Sequence, residues 1–109
     1  MKHHITIEEA KTLLGQGKPS PFIVLLKHGS MQVEYFAPRE KDNQQPHSQD
    51  EIYVIASGDS VFFRNSERLH CKTGDVLFVP AGTQHCFENF SADFATWVIF
   101  YGREGGEEA

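Results

Sequence analysis

The spacing of apolar residues changes once along the chain, near residue 19, from a helical period to an extended one. Before this point, four apolar residues recur at helical spacing: Ile7, Ala10, Leu13 and Leu14. Thr6, just before this stripe, and Glu9, within its first turn, form a capping box. In it, the side chain of each residue accepts a hydrogen bond from the free backbone N–H of the other. The pattern predicts a short helix over about residues 7–14, ended by Gly15 or Gly17 and packed against the outside of a sheet.

The rest of the chain is organised as short extended runs. Eight of them are predicted, at about residues 22–26, 31–36, 51–57, 60–64, 68–72, 76–79, 85–87 and 94–101. Gly, Pro, Asn and Asp turns separate these runs, which is typical of an all-β sandwich or barrel. Nine Phe, three Tyr and one Trp also favour strands. At 109 residues the chain predicts one domain, with the barrel over about 22–101 and a frayed, acidic tail over 102–109.

Charge and composition exclude several kinds of partner. The formal net charge is −5 and no basic cluster is present, so neither nucleic acid nor an anionic membrane surface is expected to bind. The longest uncharged apolar run, Phe22 to Leu26, is far shorter than the ~20 residues that span a bilayer. The start Met1-Lys2-His3-His4 has no apolar signal segment, and we expect a cytoplasmic protein. In that compartment Cys71 and Cys86 stay reduced, and neither has the spacing of a metal or redox pair.

Three residues stand apart among the six His and fifteen acidic residues. Glu51 lies on the strand face of Tyr53 and Ile55, where a carboxylate is costly unless it is paired, protonated or bound to a cation. His85 likewise shares a strand face with Phe87, and His47 follows Pro46 just before the strand of Glu51. Two imidazoles and a carboxylate form a site that suits Fe(II), Mn(II), Ni(II) or Zn(II) with coordination positions left open. We interpret the other histidines as surface or packing residues: His3, His4, His28 and His70.

Two stretches around these residues resemble the paired motifs of the cupin superfamily. The second motif reads G, five residues, P-x-G, two residues, H, three residues, N, and every defined position is matched by Gly74-DVLFV-Pro80-Ala-Gly82-TQ-His85-CFE-Asn89. The first ends in H-x-H, three or four residues, E, six residues, G, and is matched by Gln45-Pro46-His47-SQD-Glu51-IYVIAS-Gly58, except that Gln45 replaces the first His. Together the motifs cover the central two-fifths of the chain.

The resemblance implies a small antiparallel jelly-roll β-barrel, usually a homodimer, with one divalent metal inside. Carried over by position, the metal ligands are His47, Glu51 and His85. Gln45 stands at the fourth ligand position, where its amide oxygen is a weaker donor than imidazole. Tyr53 and Phe87 share strand faces with Glu51 and His85, and we expect them to line a substrate pocket.

Two classes of function remain open at this stage. One is a metal-dependent enzyme acting on a small organic molecule, of the dioxygenase, isomerase or lyase type, with Glu51 as a possible base. The other is a non-catalytic module that binds or senses a small ligand, in which the metal site is degenerate and the remaining His and Glu only hydrogen-bond each other. The fold does not decide between them, although a lone acidic barrel without an output element favours the enzyme.

Overall fold

The computed structural model describes residues 3–17 and 19–108. Met1, Lys2 and Ala109, which belong to the segments discussed above as the N-terminal start and the tail, lie outside the described residues. The described residues form one helix, α1 (Ile7–Gln16), and eight strands: β1 (Phe22–His28), β2 (Met31–Phe36), β3 (Asp50–Ser57), β4 (Asp59–Arg64), β5 (Glu67–Lys72), β6 (Val76–Val79), β7 (His85–Glu88) and β8 (Ala95–Tyr101). The predicted elements are all confirmed, with ends that shift by one or two residues.

The strands form two antiparallel sheets that face each other as a jelly roll. The larger sheet has the order β1-β2-β8-β3-β6, and the smaller has the order β5-β4-β7. Alternate side chains of both sheets point into a common aromatic core, which includes Tyr53, Phe62, Phe87 and Phe94. The all-β prediction is confirmed, but the two sheets are not joined into one closed ladder. The interior therefore opens at one end, where the polar loop before β3 lies.

Helix α1 packs on the outer face of the larger sheet, as its apolar stripe predicts. Thr6 caps the helix, with its Oγ1 accepting a hydrogen bond from the Glu9 N–H at 3.1 Å. Ala10 is fully buried against Tyr35. Leu13, in contrast, is exposed, because only one narrow side of so short a helix contacts the sheet. In residues 3–17 and 19–108 no helix has the length and apolar character that crossing a membrane requires.

The C-terminal segment, which its composition predicts to fray, makes backbone hydrogen bonds to the rest of the structure. The Gly105 N–H donates to the Ser48 carbonyl at 2.7 Å, and the Glu107 N–H donates to the Asp50 carboxylate at 2.8 Å. Asp50 also accepts from the Ala81 N–H at 2.9 Å, and these two backbone bonds lower the pKa of its carboxyl. A carboxylate that collects backbone N–H groups can thus order a Gly-rich segment that has no apolar side chain of its own.

Gly58, at the turn between β3 and β4, is a position that only glycine fits. Its φ is +74°, and an added Cβ would meet the Ser91 hydroxyl and lie 2.9 Å from Phe94 Cα. Gly74 also has a positive φ, of +93°, but a Cβ there would meet no atom within 4 Å. Both glycines occupy positions that the sequence motifs define, yet for different steric reasons.

We predict that Gly58→Ala destabilises the protein more than Gly74→Ala. Both variants place an L side chain at positive φ, which costs more than about 1 kcal/mol, but only Gly58→Ala also forces a backbone shift at Phe94. Urea unfolding of the two variants and the parent measures the difference. Equal losses in free energy of unfolding would show that the contact with the loop at residues 91–94 relaxes without cost.

Candidate metal centre

His47, Glu51 and His85 converge at the open end of the barrel. One ligand atom from each lies within 4.8 Å of the others. Glu51 Oε1 is 2.9 Å from His85 Nε2 and 3.8 Å from His47 Nε2. The side chains of Glu51 and His85 are 1% and 0% exposed, whereas that of His47 is 34% exposed. The cluster is therefore buried on two sides and reaches the cavity through His47.

The two sheets hold the cluster from opposite sides. Glu51 lies in the middle of the larger sheet, where its backbone pairs with Val79 of β6 and with Phe100 of β8. His85 begins β7 in the smaller sheet, opposite Arg64. His47 precedes β3, and its carbonyl accepts a hydrogen bond of 2.8 Å from the Gly82 N–H. This bond ties the first sequence motif to the turn of the second, which explains how residues 38 positions apart reach one site.

The donor set fits a divalent metal ion. Neither oxygen of the buried Glu51 carboxylate has a partner with hydrogen-bond geometry among the described residues, despite the short approach of His85. His85 Nδ1 lies 2.8 Å from the Thr83 carbonyl, so the hydrogen of the neutral ring sits on Nδ1 and Nε2 presents a lone pair to the cluster. A buried carboxylate without a partner, beside an imidazole lone pair, is the arrangement that a cation would satisfy.

Burial and the Glu51 carboxylate shift the two imidazoles in opposite directions. Burial lowers the pKa of His85, but the close approach of the Glu51 carboxylate and the contact of Nδ1 with the Thr83 carbonyl outweigh it, and the net pKa is raised. For His47, burial dominates the attraction of Glu51, and the pKa is lowered. His47 is thus the imidazole that stays neutral at lower pH, which is the state in which it can donate its lone pair to a metal.

Gln44 contributes an oxygen to this cluster that the sequence motif did not predict. Its Oε1 lies 3.0 Å from His85 Nε2 and 3.2 Å from His47 Nε2, and it accepts a hydrogen bond of 2.9 Å from the Tyr53 hydroxyl. An amide oxygen directed at two imidazoles is a fourth potential donor beside the carboxylate. The approach of several lone pairs to one point strengthens the case for a cation there.

Asp42 fixes the orientation of the Gln44 amide. Asp42 Oδ2 accepts from Gln44 Nε2 at 2.6 Å and from the Phe87 N–H at 2.8 Å, and Oδ1 accepts from the Gln44 N–H at 3.2 Å. Because the amide nitrogen is bound to Asp42, the amide oxygen must face the imidazoles. The Phe87 bond also anchors this loop to β7, two residues from His85.

The other residues singled out in the sequence are placed as follows. Gln45 is exposed, so the side chain directed at the imidazoles is that of its neighbour. Tyr53 is buried and contacts the cluster, while Phe87 packs edge-on behind it at 4.9 Å between ring centroids, inside the core rather than on the cavity wall. Cys86 points away from His85, on the opposite strand face. His70 is exposed and lies 3.2 Å from Asp59 on the neighbouring strand.

A cavity of about 560 Å³ opens in front of the cluster. Gln44, His47, Glu51 and Tyr53 line it, and its wall is formed by β2 and β8. His85 is buried and does not border it. Two side chains of that wall, Gln32 and Glu34, were not identified from the sequence, although alternation places Glu34 on the same inward face as Phe36. The argument that singled out Glu51 applies to Glu34 only in part, because its strand face carries Gln32 as well as Phe36.

Comparison with known proteins agrees with this fold. The cupin domain family matches residues 32–101, which is more than half of the chain. The chain is a cupin. The matched region of this cupin includes all the cluster residues, from the loop of Gln44 to His85. Among solved structures, a Cupin 2 conserved barrel domain protein from Salinispora arenicola superposes with a TM-score of 0.69 at 15% identity, covering 94% of this chain and 89% of that one.

Two relatives are more similar in sequence to this cupin than that solved structure is. An uncharacterized protein of Streptomyces coelicolor is 33% identical over 81 residues, covering 72% of this chain and 77% of that protein. Acireductone dioxygenase 1 of Pectobacterium atrosepticum is 33% identical over 110 aligned positions, covering 95% of this chain. This cupin spans 61% of the length of that dioxygenase, which is less than two thirds of it.

The adjacent residues Gln44 and Gln45 offer a matched test of the fourth donor. We predict that Gln44→Ala weakens Zn(II) binding by about tenfold to a hundredfold, the usual cost of losing a group that supports a metal ligand. Gln45→Ala should leave the affinity unchanged, because Gln45 is exposed. Isothermal titration calorimetry with Zn(II) measures both. Weaker binding for Gln45→Ala alone would mean that the loop moves to bring Gln45 to the metal, as the sequence motif implies.

Proposed function

We propose that this cupin is a metal-dependent enzyme of the dioxygenase type, which acts on a small organic molecule in the barrel cavity. The observation that carries the proposal is the buried Glu51 carboxylate, which has no partner of hydrogen-bond geometry within residues 3–17 and 19–108 and lies beside two imidazoles at an open cavity. The likeness to an acireductone dioxygenase over 95% of the chain favours oxygenation over the isomerase and lyase alternatives. An acireductone-like substrate, with adjacent oxygens, would suit a site with open coordination positions.

His47, Glu51 and His85 would hold the metal, with the Gln44 amide oxygen as a weaker fourth donor. A bound Fe(II), Mn(II), Ni(II) or Zn(II) would supply Lewis acidity, and the redox-active ions among them would supply reaction with dioxygen. The protein places these donors so that His85 and Glu51 are closed off from water while His47 borders the cavity. Substrate would therefore approach from the side of His47.

Tyr53 is the side chain best placed to assist at the metal. Its hydroxyl is buried, 3.0 Å from His85 Nε2 and 2.9 Å from the Gln44 amide oxygen. Burial, together with Glu51 and Asp42, raises the pKa of Tyr53 well above its usual value, so the hydroxyl keeps its proton. That single proton is donated to the Gln44 amide oxygen, so the phenol would help to hold the fourth donor in place at the metal. Glu51 as a base stays a prediction from the sequence.

One observation favours a non-catalytic binding module as the second candidate. The Gln44 amide oxygen accepts from Tyr53 and approaches both imidazoles, so part of the cluster is satisfied by hydrogen bonds without a metal. In that case the cavity would bind a small ligand beside a degenerate metal site. With neutral imidazoles, the Glu51 carboxylate has no donor of hydrogen-bond geometry among the described residues, so this alternative requires a proton on His85 Nε2, 2.9 Å away.

A homodimer and a cytoplasmic location stay predictions. The edge strand β6 exposes Val76 and Phe78, which are 67% and 44% accessible. Apolar side chains on an edge strand agree with a partner at this face, as the resemblance to cupins implies.

We predict about one equivalent of a transition metal per chain, and its loss in His85→Ala. His70→Ala is the matched control, because His70 is an exposed histidine outside the cluster. Elemental analysis by inductively coupled plasma mass spectrometry of untagged protein, purified without chelators, measures both variants. Equal metal content in His85→Ala and the parent would show that the metal binds elsewhere. A parent that stays empty after reconstitution with Fe(II), Mn(II), Ni(II) and Zn(II) would favour the binding module.

We further predict that the iron-loaded protein consumes dioxygen in the presence of an acireductone. The His85→Ala variant should not, because it lacks a ligand, while His70→Ala should behave as the parent. An oxygen electrode measures the uptake, and a thermal shift measures ligand binding on the same samples. Stabilisation by the compound without oxygen uptake in metal-replete protein would reject the dioxygenase in favour of the binding module.

A further inference from the structure

Gln32 and Glu34 form a polar pair on the cavity wall, two strands away from the metal ligands. In the larger sheet Gln32 pairs with Phe100, and Phe100 pairs in turn with Glu51. One step along, Glu34 pairs with Val98, and Val98 pairs with Tyr53. Two strand spacings correspond to about 10 Å. The polar pair therefore faces the same cavity as the metal cluster, with the apolar side chains of β8 between them.

One oxygen of the Glu34 carboxylate accepts a hydrogen bond from the protein, and the other is available to a ligand. Gln32 Nε2 donates to Glu34 Oε2 at 2.7 Å, while Oε1 has no hydrogen-bond partner among the described residues. Burial, set against the Gln32 bond and joined by repulsion from Glu51, raises the pKa of Glu34. A partly desolvated carboxylate with one free oxygen is an acceptor that a ligand can satisfy.

We infer that Gln32 and Glu34 form a second recognition point for the substrate, which accepts an N–H or O–H donor at the end of the molecule remote from the metal. This inference rests on the proposed metal-dependent function, because the metal fixes the other end of the substrate. The wall between the two points is apolar, formed by Val98 and Phe100. The cavity thus selects a molecule with a metal-binding oxygen head, an apolar middle and a hydrogen-bond donor at its tail.

The arrangement explains why a carboxylate is retained on an apolar face that takes no part in the metal cluster. A carboxylate on the surface would be fully solvated. Glu34, in contrast, is half-buried, and the Glu51 carboxylate repels its negative charge. A donor group on the ligand, and a protonated amine most strongly, offsets both effects through a charge-assisted hydrogen bond. Specificity would follow, because a ligand without the donor would displace water from the half-buried carboxylate without replacing its hydrogen bond.

Two hydroxamate probes test this inference on the zinc-loaded full chain: hexanohydroxamate and its ω-amino analogue. Zinc is redox-silent, and the hydroxamate supplies the metal-binding oxygens. Calorimetry should show that the amino probe binds about tenfold to a hundredfold more tightly than the methyl-terminated one. In Glu34→Gln this preference should disappear, while the affinity for the methyl-terminated probe should stay as in the parent.

Glu40→Gln is the matched control, because it removes an exposed carboxylate and should keep the preference. Gln32→Ala should weaken the preference, since the Glu34 carboxylate loses the bond that orients it. Equal affinities for the two probes in the parent, or an unchanged preference in Glu34→Gln, would overturn the inference. Metal uptake is measured first, with Ni(II) replacing zinc if zinc does not bind. A chain that takes up none of Fe(II), Mn(II), Ni(II) and Zn(II) would overturn the proposed metal function itself, with the inference that depends on it.

Discussion

The burial of the Glu51 carboxylate is the constraint on which the site depends. The carboxylate is enclosed by the larger sheet on one side and by His85 on the other, and neither oxygen has a partner with hydrogen-bond geometry among the described residues. An ionised carboxylate in such a place is costly, and adding a second negative or acceptor atom nearby makes it more so. Gln44 adds such an atom. The cluster therefore makes energetic sense only with a cation or with protons on the imidazoles.

A single loop residue, Asp42, links the core to this cluster by hydrogen bonds. It is buried, and it joins β7 through the Phe87 N–H to the Gln44 side chain through the amide nitrogen. The orientation of the amide oxygen thus follows from a bond made on its other side. The same logic holds at Asp50, where a buried carboxylate collects the N–H groups of Ala81 and Glu107 and places the tail against the turn before β7. In both cases a carboxylate organises backbone that lacks apolar side chains.

The sequence predicts the parts of the structure that depend on period and fixed spacing. Strand alternation places Glu51 beside Tyr53 and His85 beside Phe87, and the motif spacing brings His47 to them. The loop before β3 has no periodic pattern, so its sequence does not indicate whether Gln44 or Gln45 faces the imidazoles. Gln44 does so because Asp42, which is bound to β7, holds its amide nitrogen. The contacts of the tail are equally without a period, because they depend on bonds to Asp50 and Ser48, which lie far away in the sequence. Glu34 could have been found by alternation, since it lies on the face of Phe36.

The cavity can be understood as two acceptors held apart by an apolar wall. Near the metal cluster, negative charge would be offset by a cation that the protein retains; at Glu34 it would be offset only while a ligand is present. The two carboxylates repel each other across β8, and this repulsion raises the pKa of Glu34 further above what burial alone gives. A metal at Glu51 would relieve that repulsion and leave Glu34 more readily ionised. The two ends of the cavity would thus interact through charge.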